Sequence, residues 1–351
     1  MKFSALPVKH GDAFLLNYND FFVLVDGGKN KQHICSLLEK ENISHIDVLI
    51  CTHYDADHIN GIIGILKSKK LTFKEIWLPE VLGSTAYTIS KSHSTFLHAL
   101  RKMEDVKEKN TLKSYDSEKG NNEDISVASL NLFMNFRYNY YLHSLMVCDK
   151  SRSNNCGEII TNLYSACSVV KKSLSSGASV RWFKYQNAET KNPCGYDMFA
   201  KNSIETGVTI YDPNQLAQAL YLTTINKESL VFLFDNKDVP NVLFTADSDL
   251  SFVSDDHKIN LKSDSIVTAP HHGSADNAEA YSRINGGNLN FVRSDFFNRN
   301  RPCDAYIKKE NRYCTICNNG SGKKKKVTLE FDGSSIVPIE DTEQCRCTTN
   351  L

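Results

Sequence analysis

The sequence predicts an α/β fold whose short apolar strands carry polar, chemistry-bearing residues at their ends. One observation is a strand-like run, "HIDVLICT" (45–52), followed by a helical pattern, "INGIIGILKSKK" (59–70), and a second strand, "FKEIWLPE" (73–80). Another is the return of strand patterns after residue 228, two of which end in Asp or His. For 351 residues we expect one enlarged domain that contains an insertion.

The first elements form a predicted hairpin and a helix. The runs "AFLLNY" (13–18) and "FFVLVDGG" (21–28) are apolar and aromatic, and Asn19 and Asp20 separate them as hairpin turn residues do. The segment "KQHICSLLEKEN" (31–42) has apolar residues at helical spacing. These elements therefore lead into the buried strand at residues 45–52.

The middle of the chain differs in composition from both ends. Residues 81–206 mix Ser, Asn and Lys and include the long polar segment "DVKEKNTLKSYDSEKGNNEDIS" (105–126). We predict that 81–206 is an insertion of unassigned role, since a long segment without regular structure is uncommon inside a compact domain. The predicted core comprises residues 1–80 and 207–340, with a tail at 341–351.

Strand patterns resume in the C-terminal part. The runs are "SLVFLF" (229–234), "NVLFTADSD" (241–249), "SIVTAPHHGS" (265–274) and the two strands within "KKKKVTLEFDGSSIVPIE" (323–340). They complete an α/β pattern that begins and ends with strands.

Composition narrows the classes of partner and location. Lys plus Arg and Asp plus Glu both number 41, so a polyanionic substrate must be held by local charges. Polar residues interrupt the first apolar run at His10, Gly11 and Asp12, and no run of about 18 apolar residues occurs, which predicts a cytoplasmic protein without a membrane partner. The 11 cysteines are an odd number and mostly scattered, which favours reduced thiols.

The densest chemistry lies in "THYDADHINGI" (52–62), which contains His53, Asp55, Asp57 and His58. Such a string arises by chance in about one of a thousand sequences of this composition. Two imidazoles and two carboxylates at one strand end need a cation or a proton between them, and this donor set is typical of a metal site. The structural alternative is a turn with an Asp that caps the next helix, for which one Asp suffices.

Two later strand ends add further donors. One strand ends in Asp247 and Asp249, and another in His271 and His272. A single Asp or His at such a place more often has a structural role. Three loops of this kind, however, predict convergence at one edge of the sheets, where they would form two metal sites.

These residues resemble the metallo-β-lactamase fold and, within it, the ComEC-like branch. The motifs that carry the resemblance are "VKHGDAFLL", "FFVLVDGG", "ICTHYDADHINGI", "NKESLVFLF", "VLFTADSD" and "APHHGS", in the order found in that branch. The resemblance covers residues 1–80 and 207–340. It implies a four-layer αβ/βα sandwich with a dinuclear site along one edge and a large insertion between the second and fourth motifs.

The resemblance also implies ligands for two divalent metal ions. Asp26 matches the family's first motif, whose carboxylate supports the ligand loop. The implied ligands are His53 and Asp55 for the first metal, Asp57 and His58 for the second, Asp247 as the bridge, and either His271 or His272 to complete the second site. The other histidine of that pair would face the substrate.

The sequence departs from the broader family in its first site. The family has His where Asp55 stands, and a further His that "YDPNQLAQALYLTTINKE" (211–228) lacks. Replacement of imidazole by carboxylate gives the site a harder set of ligand atoms. The expected ions are therefore Zn²⁺ or Mn²⁺, with Mg²⁺ also compatible. Water or one of four side chains would complete the site: Asn226, His93, His98 or His143.

The function implied is metal-dependent hydrolysis of phosphodiester bonds, by a nuclease or a nucleotide phosphodiesterase. Two cations bridged by Asp247 would lower the pKa of a shared water. We assign four residues to catalysis: Asp57, His271, His272 and Ser274, with Ser274 or one histidine as donor to the leaving group. One alternative is a hydrolase of a small ester, lactone or thioester. Another is a metal-binding scaffold or regulator that holds a protein partner through residues 81–206.

Two further groups carry weaker patterns. Cys303, Cys314, Cys317, Cys345 and Cys347 could bind a structural metal, but their spacing fits no common zinc pattern, so unbound thiols are the favoured interpretation. The run "GKKKK" (322–326) favours a solvated turn over a phosphate contact.

Overall fold

Two large β-sheets pack face to face, with helices on their outer faces. The computed structural model describes residues 1–91, 119–120, 122–130, 153–211, 228–295, 301–317 and 324–348. Within them the layers run helix, sheet, sheet, helix, which is the predicted α/β four-layer sandwich.

The first sheet has nine strands in the order β10-β7-β5-β4-β3-β2-β1-β19-β20. Their bounds are β1 (Lys2–Ala5), β2 (Phe14–Tyr18), β3 (Phe21–Val25), β4 (His45–Ile50), β5 (Thr72–Pro79), β7 (Ser179–Tyr185), β10 (Ser203–Thr206), β19 (Val327–Phe331) and β20 (Ile336–Ile339). Strands β2 and β3 form the predicted hairpin, with Asn19 and Asp20 both in the left-handed region. Strands β3, β4, β5 and β7 run parallel.

The second sheet has seven strands in the order β18-β17-β15-β13-β12-β9-β8. Their bounds are β8 (Asn192–Gly195), β9 (Met198–Ala200), β12 (Phe232–Phe234), β13 (Val242–Phe244), β15 (Ile266–Thr268), β17 (Asn290–Arg293) and β18 (Asn311–Cys314). Strands β13, β15, β17 and β18 run parallel, so their carboxyl ends share one edge.

The remaining elements cover the sheets. The helices are α1 (His33–Lys40), α2 (Ala56–Ile65), α3 (Glu80–Lys91), α4 (Ser153–Leu174) and α5 (Asp304–Ile307), with 3₁₀ helices at Asn122–Asp124, Pro270–Gly273 and Ala275–Arg283. Two small sheets pair β6 (Lys119–Gly120) with β11 (Val208–Thr209), and β14 (Ile259–Asn260) with β16 (Ile284–Asn285). No helix in these ranges combines the length and apolar character needed to cross a bilayer.

Alternation along the central strands divides the core into its layers. In β3, Val23 and Val25 pack between the sheets, whereas Leu24 packs under the helices. In β13, Phe244 points between the sheets and Leu243 points to the opposite layer. Each such buried side chain stabilises the fold by about 1.5–3 kcal/mol, so a shift of one residue in register is strongly disfavoured.

The structure corrects the predicted extent of the insertion at residues 81–206. Strand β7 pairs with β5 and β10 in the first sheet, while β8 and β9 extend the second. Residues 179–206 therefore belong to the sandwich. In β7, Val180 and Trp182 are buried against the helices, and a polar residue stands between them. This strand pattern was not recognised from the sequence because β7 belongs to a segment rich in polar residues.

Candidate metal centre

Asp26 organises the loop that follows β4. It comes directly after β3, has a left-handed φ of 60° and is buried. Its carboxylate accepts hydrogen bonds from the Thr52 amide at 2.9 Å and the Thr52 hydroxyl at 2.7 Å. It also accepts from His58 Nδ1 at 2.8 Å. One carboxylate thus fixes both the loop and the first turn of α2.

Asp55 caps α2 from the position before the helix, and the next two predicted residues lie on the first turn. The Asp55 Oδ1 atom accepts from the Ala56 amide at 2.6 Å, so this side chain acts as the helix cap. Asp57 and His58 follow on the helix. Within the described residues, Asp55 lies outside the compact groups of His and Asp ligand atoms that contain His53 and His58.

Gly11 allows the β1–β2 loop to reach this helix. Its φ is 80°, and a Cβ at this position would lie 1.8 Å from the Asp57 carbonyl oxygen. A residue with a side chain is therefore excluded on both conformational and steric grounds. The close approach brings the next residue, Asp12, into the buried cluster.

The loop after β15 presents both predicted histidines in an uncommon backbone conformation. His271 and His272 have φ values of 46° and 55°, a region that costs residues with side chains of order 1–3 kcal/mol. Buried Arg293 donates from Nε to the His272 carbonyl oxygen at 2.6 Å and supports the turn. Strained backbone of this kind is concentrated at functional sites.

Four imidazoles converge on the carboxylate of Asp247. His58 and His272 place Nε2 at 3.3 and 3.4 Å from Asp247 Oδ1. His53 and His271 place Nε2 at 3.7 and 3.5 Å from Oδ2. The three predicted loops therefore meet at one point between the sheets.

The other ring nitrogen of each histidine already has an oxygen partner. His58 Nδ1 faces Asp26 at 2.8 Å, and His272 Nδ1 faces Asp12 at 3.0 Å. The Nδ1 atoms of His53 and His271 face the Thr52 hydroxyl and the Asn277 side-chain oxygen, both at 3.0 Å. Since these oxygens accept, each neutral ring carries its lone pair on Nε2, the nitrogen that points to Asp247.

This arrangement fits metal ions. The Nε2 atoms of His58 and His272 lie 3.3 Å apart, and two lone pairs at that distance require a cation or a proton between them. His53 Nε2 and Asp247 Oδ1 are buried without a hydrogen-bond partner. Carboxylates that hold the far nitrogen of a histidine are the usual outer support of a metal ligand.

Burial and mutual charge shift the pKa values of the cluster. Burial, followed by the neighbouring His58, lowers the pKa of His53 to about 4. Burial also opposes the charge on His58, but Asp247 and Asp26 raise its pKa well above its usual value. Burial likewise opposes ionisation of Asp247, yet His272 and His58 hold its pKa well below its usual range. The carboxylates therefore favour positive charge at His58, whereas His53 is held neutral.

The remaining predicted site residues have other surroundings. Asp57 Oδ2 lies 3.5 Å from His272 Nε2, at the margin of the cluster. The Ser274 hydroxyl accepts from the Asp276 amide at 3.4 Å and caps the next 3₁₀ helix. The four side chains considered for completing the first site lie outside the described residues: Asn226, His93, His98 and His143.

Sequence reasoning missed Asp12 as a member of the site. Asp12 shares a compact group of ligand atoms with His58, Asp247 and His272. The signal was present in "HGD", a carboxylate after a turn glycine at the start of an apolar strand. Only the fold shows that β2 begins at the edge where β3 ends, because Phe14 pairs with Val25.

Basic residues lie at the margin of the cluster. His10 is near exposed Lys29 and partly buried Lys324, and burial and these two lysines lower its pKa, while Asp295 and Asp57 raise it. Lys324 Nζ donates to the Val8 carbonyl oxygen at 2.8 Å. This lysine of the "GKKKK" run therefore contacts the β1–β2 loop, whereas a solvated turn was predicted.

Comparison with known proteins matches part of the chain to a known family. Residues 6–109 match the family model described as the metallo-beta-lactamase superfamily. A ribonuclease Z from Alkaliphilus oremlandii is 28% identical over 152 residues, which cover 39% of this chain and 48% of that protein. Microtubule-associated protein 1A from Rattus norvegicus and from Homo sapiens is 33% identical over 82 residues, covering 23% of this chain and 3% of those proteins. The chain thus spans about half or less of the curated relatives that it matches.

A solved structure gives a further, distant likeness. AidC, a dizinc quorum-quenching lactonase in complex with a product, aligns with 67% of this chain and 55% of its own at 11% identity, with a TM-score of 0.31. The family match is independent of it and includes Asp12, Asp26 and the loop of His53 and His58. Residues 6–109 thus match the metallo-beta-lactamase superfamily, in a chain that folds as a two-sheet α/β sandwich.

Proposed function

We propose that this protein is a metal-dependent hydrolase of phosphodiester bonds, a nuclease or nucleotide phosphodiesterase. The observation that carries the proposal is the convergence of four Nε2 atoms on buried Asp247. Two divalent cations bound there would supply activated water near neutral pH and neutralise charge on the phosphoryl oxygens. Zn²⁺ or Mn²⁺ are the ions proposed, and Mg²⁺ is compatible with the carboxylates.

The two oxygens of Asp247 divide the proposed ligands into two sets. His58 and His272 lie nearest Oδ1, and Asp57 lies beside His272. His53 lies on the Oδ2 side. We assign the first set to one ion and His53 with Asp55 to the other, with Asp247 shared by both. Asp55 remains a proposed ligand because its Oδ1 atom alone accepts the Ala56 amide, which leaves Oδ2 for an ion.

His271 is the proposed proton donor to the leaving group. Its side chain is 18% exposed, whereas that of His272 is 1% exposed, so His271 is the histidine that faces solvent and substrate. Its Nδ1 donates to the Asn277 side-chain oxygen, so the proton for the leaving group would be the one that Nε2 holds when the ring is protonated. Ser274 was the other predicted donor, but its hydroxyl interacts with Asp276.

Local charge supports an anionic substrate. Lys29 is exposed beside His10. The charge of Asp57, at the margin of the proposed site, raises the pKa of His10, which places both residues close to that margin. A phosphodiester carries a negative charge that such a margin would hold, whereas a neutral ester or lactone carries none. The curated relative from Alkaliphilus is named a ribonuclease, which supports nucleic acid as the substrate class. Placement in the ComEC-like branch and a cytoplasmic location are part of the same proposal and rest on the sequence motifs and on reduced thiols.

A substrate screen with paired variants tests the proposal. The full chain, stripped with chelator and reloaded with Mn²⁺ or Zn²⁺, is assayed with bis(p-nitrophenyl) phosphate, RNA, DNA and p-nitrophenyl acetate. We expect metal-dependent phosphodiester hydrolysis that is lost in Asp247→Asn. Asp249→Asn is the matched control, because its carboxylate accepts from the Ser251 amide outside the cluster. Hydrolysis of the acetate alone would overturn the substrate class, and full activity of Asp247→Asn would overturn the metal site.

A further inference from the structure

Four cysteine thiols meet at the carboxyl end of β18, apart from the His and Asp cluster. Cys314 is the last residue of β18 and Cys317 lies in the following turn. Cys345 and Cys347 come from the segment after β20. All four Sγ atoms lie within 4.8 Å of one another. Cys303 is buried nearby but is not one of this group.

The spacing of the sulfur atoms fits a tetrahedral metal site. Cys314 Sγ lies 3.7 Å from Cys347 Sγ, and Cys317 Sγ lies 3.7 Å from Cys345 Sγ. Cys317 Sγ and Cys347 Sγ are closer, at 3.0 Å. Four sulfurs at about 2.3 Å from a zinc ion stand about 3.8 Å apart, whereas the sulfurs of a disulfide are about 2.0 Å apart. The four thiols are free.

The surroundings supply features that thiolate ligands need. The Cys317 amide donates to Cys314 Sγ at 3.2 Å, as the second cysteine of a metal-binding C-x-x-C turn can do. Buried Arg293 places Nη1 3.9 Å from Cys347 Sγ. The Cys345 amide donates to the Arg312 carbonyl oxygen at 2.7 Å and fixes this segment beside β18. A cation next to the thiolates offsets part of their negative charge.

We propose that Cys314, Cys317, Cys345 and Cys347 bind one structural zinc ion. From the sequence, unbound thiols were the favoured interpretation of these residues, and the proposed zinc site replaces it. The ion would join the C-terminal segment to the edge of the second sheet. It would also support Arg293, whose Nε holds the His272 carbonyl oxygen, so the thiolate site is a positioning element for the turn that carries His271 and His272.

Metal content of the full chain tests the proposal. Zinc per chain is measured by mass spectrometry in the wild type, in the Cys345→Ser/Cys347→Ser variant, and in Cys35→Ser as the control. Cys35 is partly exposed on α1, and its thiol donates to the Lys31 carbonyl oxygen away from the four-cysteine group. We expect the double variant to lose one equivalent and the control to lose none. Equal zinc in all three proteins would overturn the proposal.

A second measurement needs no substitution. Cobalt loaded into the wild type in place of zinc gives sulfur-to-metal charge-transfer absorption when thiolates bind it, and imidazole and carboxylate ligands do not give this absorption. We expect this absorption to persist in Asp247→Asn, which leaves the thiols intact. Its absence from the wild type would contradict the proposal. So would an intact mass of the unreduced protein that shows hydrogen loss from disulfide bonds among these cysteines.

Discussion

The Nε2 atoms of His58 and His272 face each other at 3.3 Å, although 214 positions separate the two residues in the chain. Each donates from Nδ1 to a buried carboxylate, His58 to Asp26 and His272 to Asp12. The N-terminal part of the chain thus supplies both carboxylates and His58, and the C-terminal part supplies His272. Two neutral rings at this distance repel each other through their Nε2 lone pairs. The carboxylate behind each ring favours a cation between them.

Replacement of Asp12 by Asn is expected to weaken metal binding while the fold persists. The amide oxygen still accepts from His272 Nδ1, but the loss of the negative charge makes the imidazole a poorer ligand. Loss of such a support typically costs about 10- to 100-fold in metal affinity. Competition with a chromophoric chelator measures the change, with Asp249→Asn as control. Equal affinity in both variants would show that Asp12 does not support His272.

Metal affinity is expected to rise with pH. Burial opposes the charge on His58 and His272, but the neighbouring carboxylates raise both pKa values well above the usual value. The charged rings therefore stabilise the metal-free fold fully below about pH 6.5, and this stabilisation is lost as the pH rises through the raised folded pKa. A cation needs the neutral Nε2, so binding releases protons.

Chelator competition at about pH 6, 7 and 8 measures this trend, and proton release is read from the dependence of binding heat on the buffer. The histidines set the direction of the effect, since Asp57 and Asp247 have lowered pKa values and stay ionised throughout this range. An affinity that falls as the pH increases would contradict the proposed role of the imidazoles.

Gly11→Ala is expected to destabilise the protein and displace the β1–β2 loop. The new Cβ would meet the Asp57 carbonyl oxygen at 1.8 Å, in addition to the cost of a φ of 80°. Gly195→Ala is the matched control, because Gly195 has a φ of 87° and no atom within 4 Å of the added Cβ. The control should lose only the conformational part, of order 1–3 kcal/mol.

Urea unfolding of both variants measures the difference between them. The extra loss in Gly11→Ala reports the contact with α2, and a lower metal content should accompany it. If the two variants lose the same stability, the close approach of Gly11 to Asp57 has no energetic importance.

Local features of this protein were predictable from its sequence, whereas contacts between distant segments were not. The β2–β3 hairpin was predictable because Asn19 and Asp20 tolerate left-handed φ values, which both adopt. His53, His58, Asp247, His271 and His272 were identifiable because strand-end loops collect on one edge. Asp26 was placed through the family resemblance, whereas Asp12 was harder to place, since its role depends on a hydrogen bond to His272, which is distant in sequence. The four thiols were named from the sequence, but their spacing argued against a metal site, because only the fold brings Cys345 and Cys347 to β18.

Lys29→Ala is expected to raise KM for a phosphodiester and leave KM for a neutral ester unchanged. An exposed charge at the margin of a site contributes less than about 1 kcal/mol, which corresponds to roughly two- to fivefold in KM. Lys69→Ala is the control, because Lys69 is exposed before the start of β5, at the opposite edge of the sheet. Steady-state kinetics on both substrate types measure the effect. An equal change in KM for the two substrates would show that Lys29 does not recognise the phosphate charge.

The most direct test of the central claim is the metal content of Asp247→Asn, measured beside the wild type after saturation with zinc and removal of loosely bound ions. With two ions at the His and Asp cluster and one at the cysteines, we predict three ions per chain in the wild type. We predict that Asp247→Asn keeps the cysteine-bound ion, loses at least one of the other two and has no phosphodiesterase activity. Unchanged metal content in Asp247→Asn would contradict the assignment of Asp247 as the shared ligand and, with it, the account of the site.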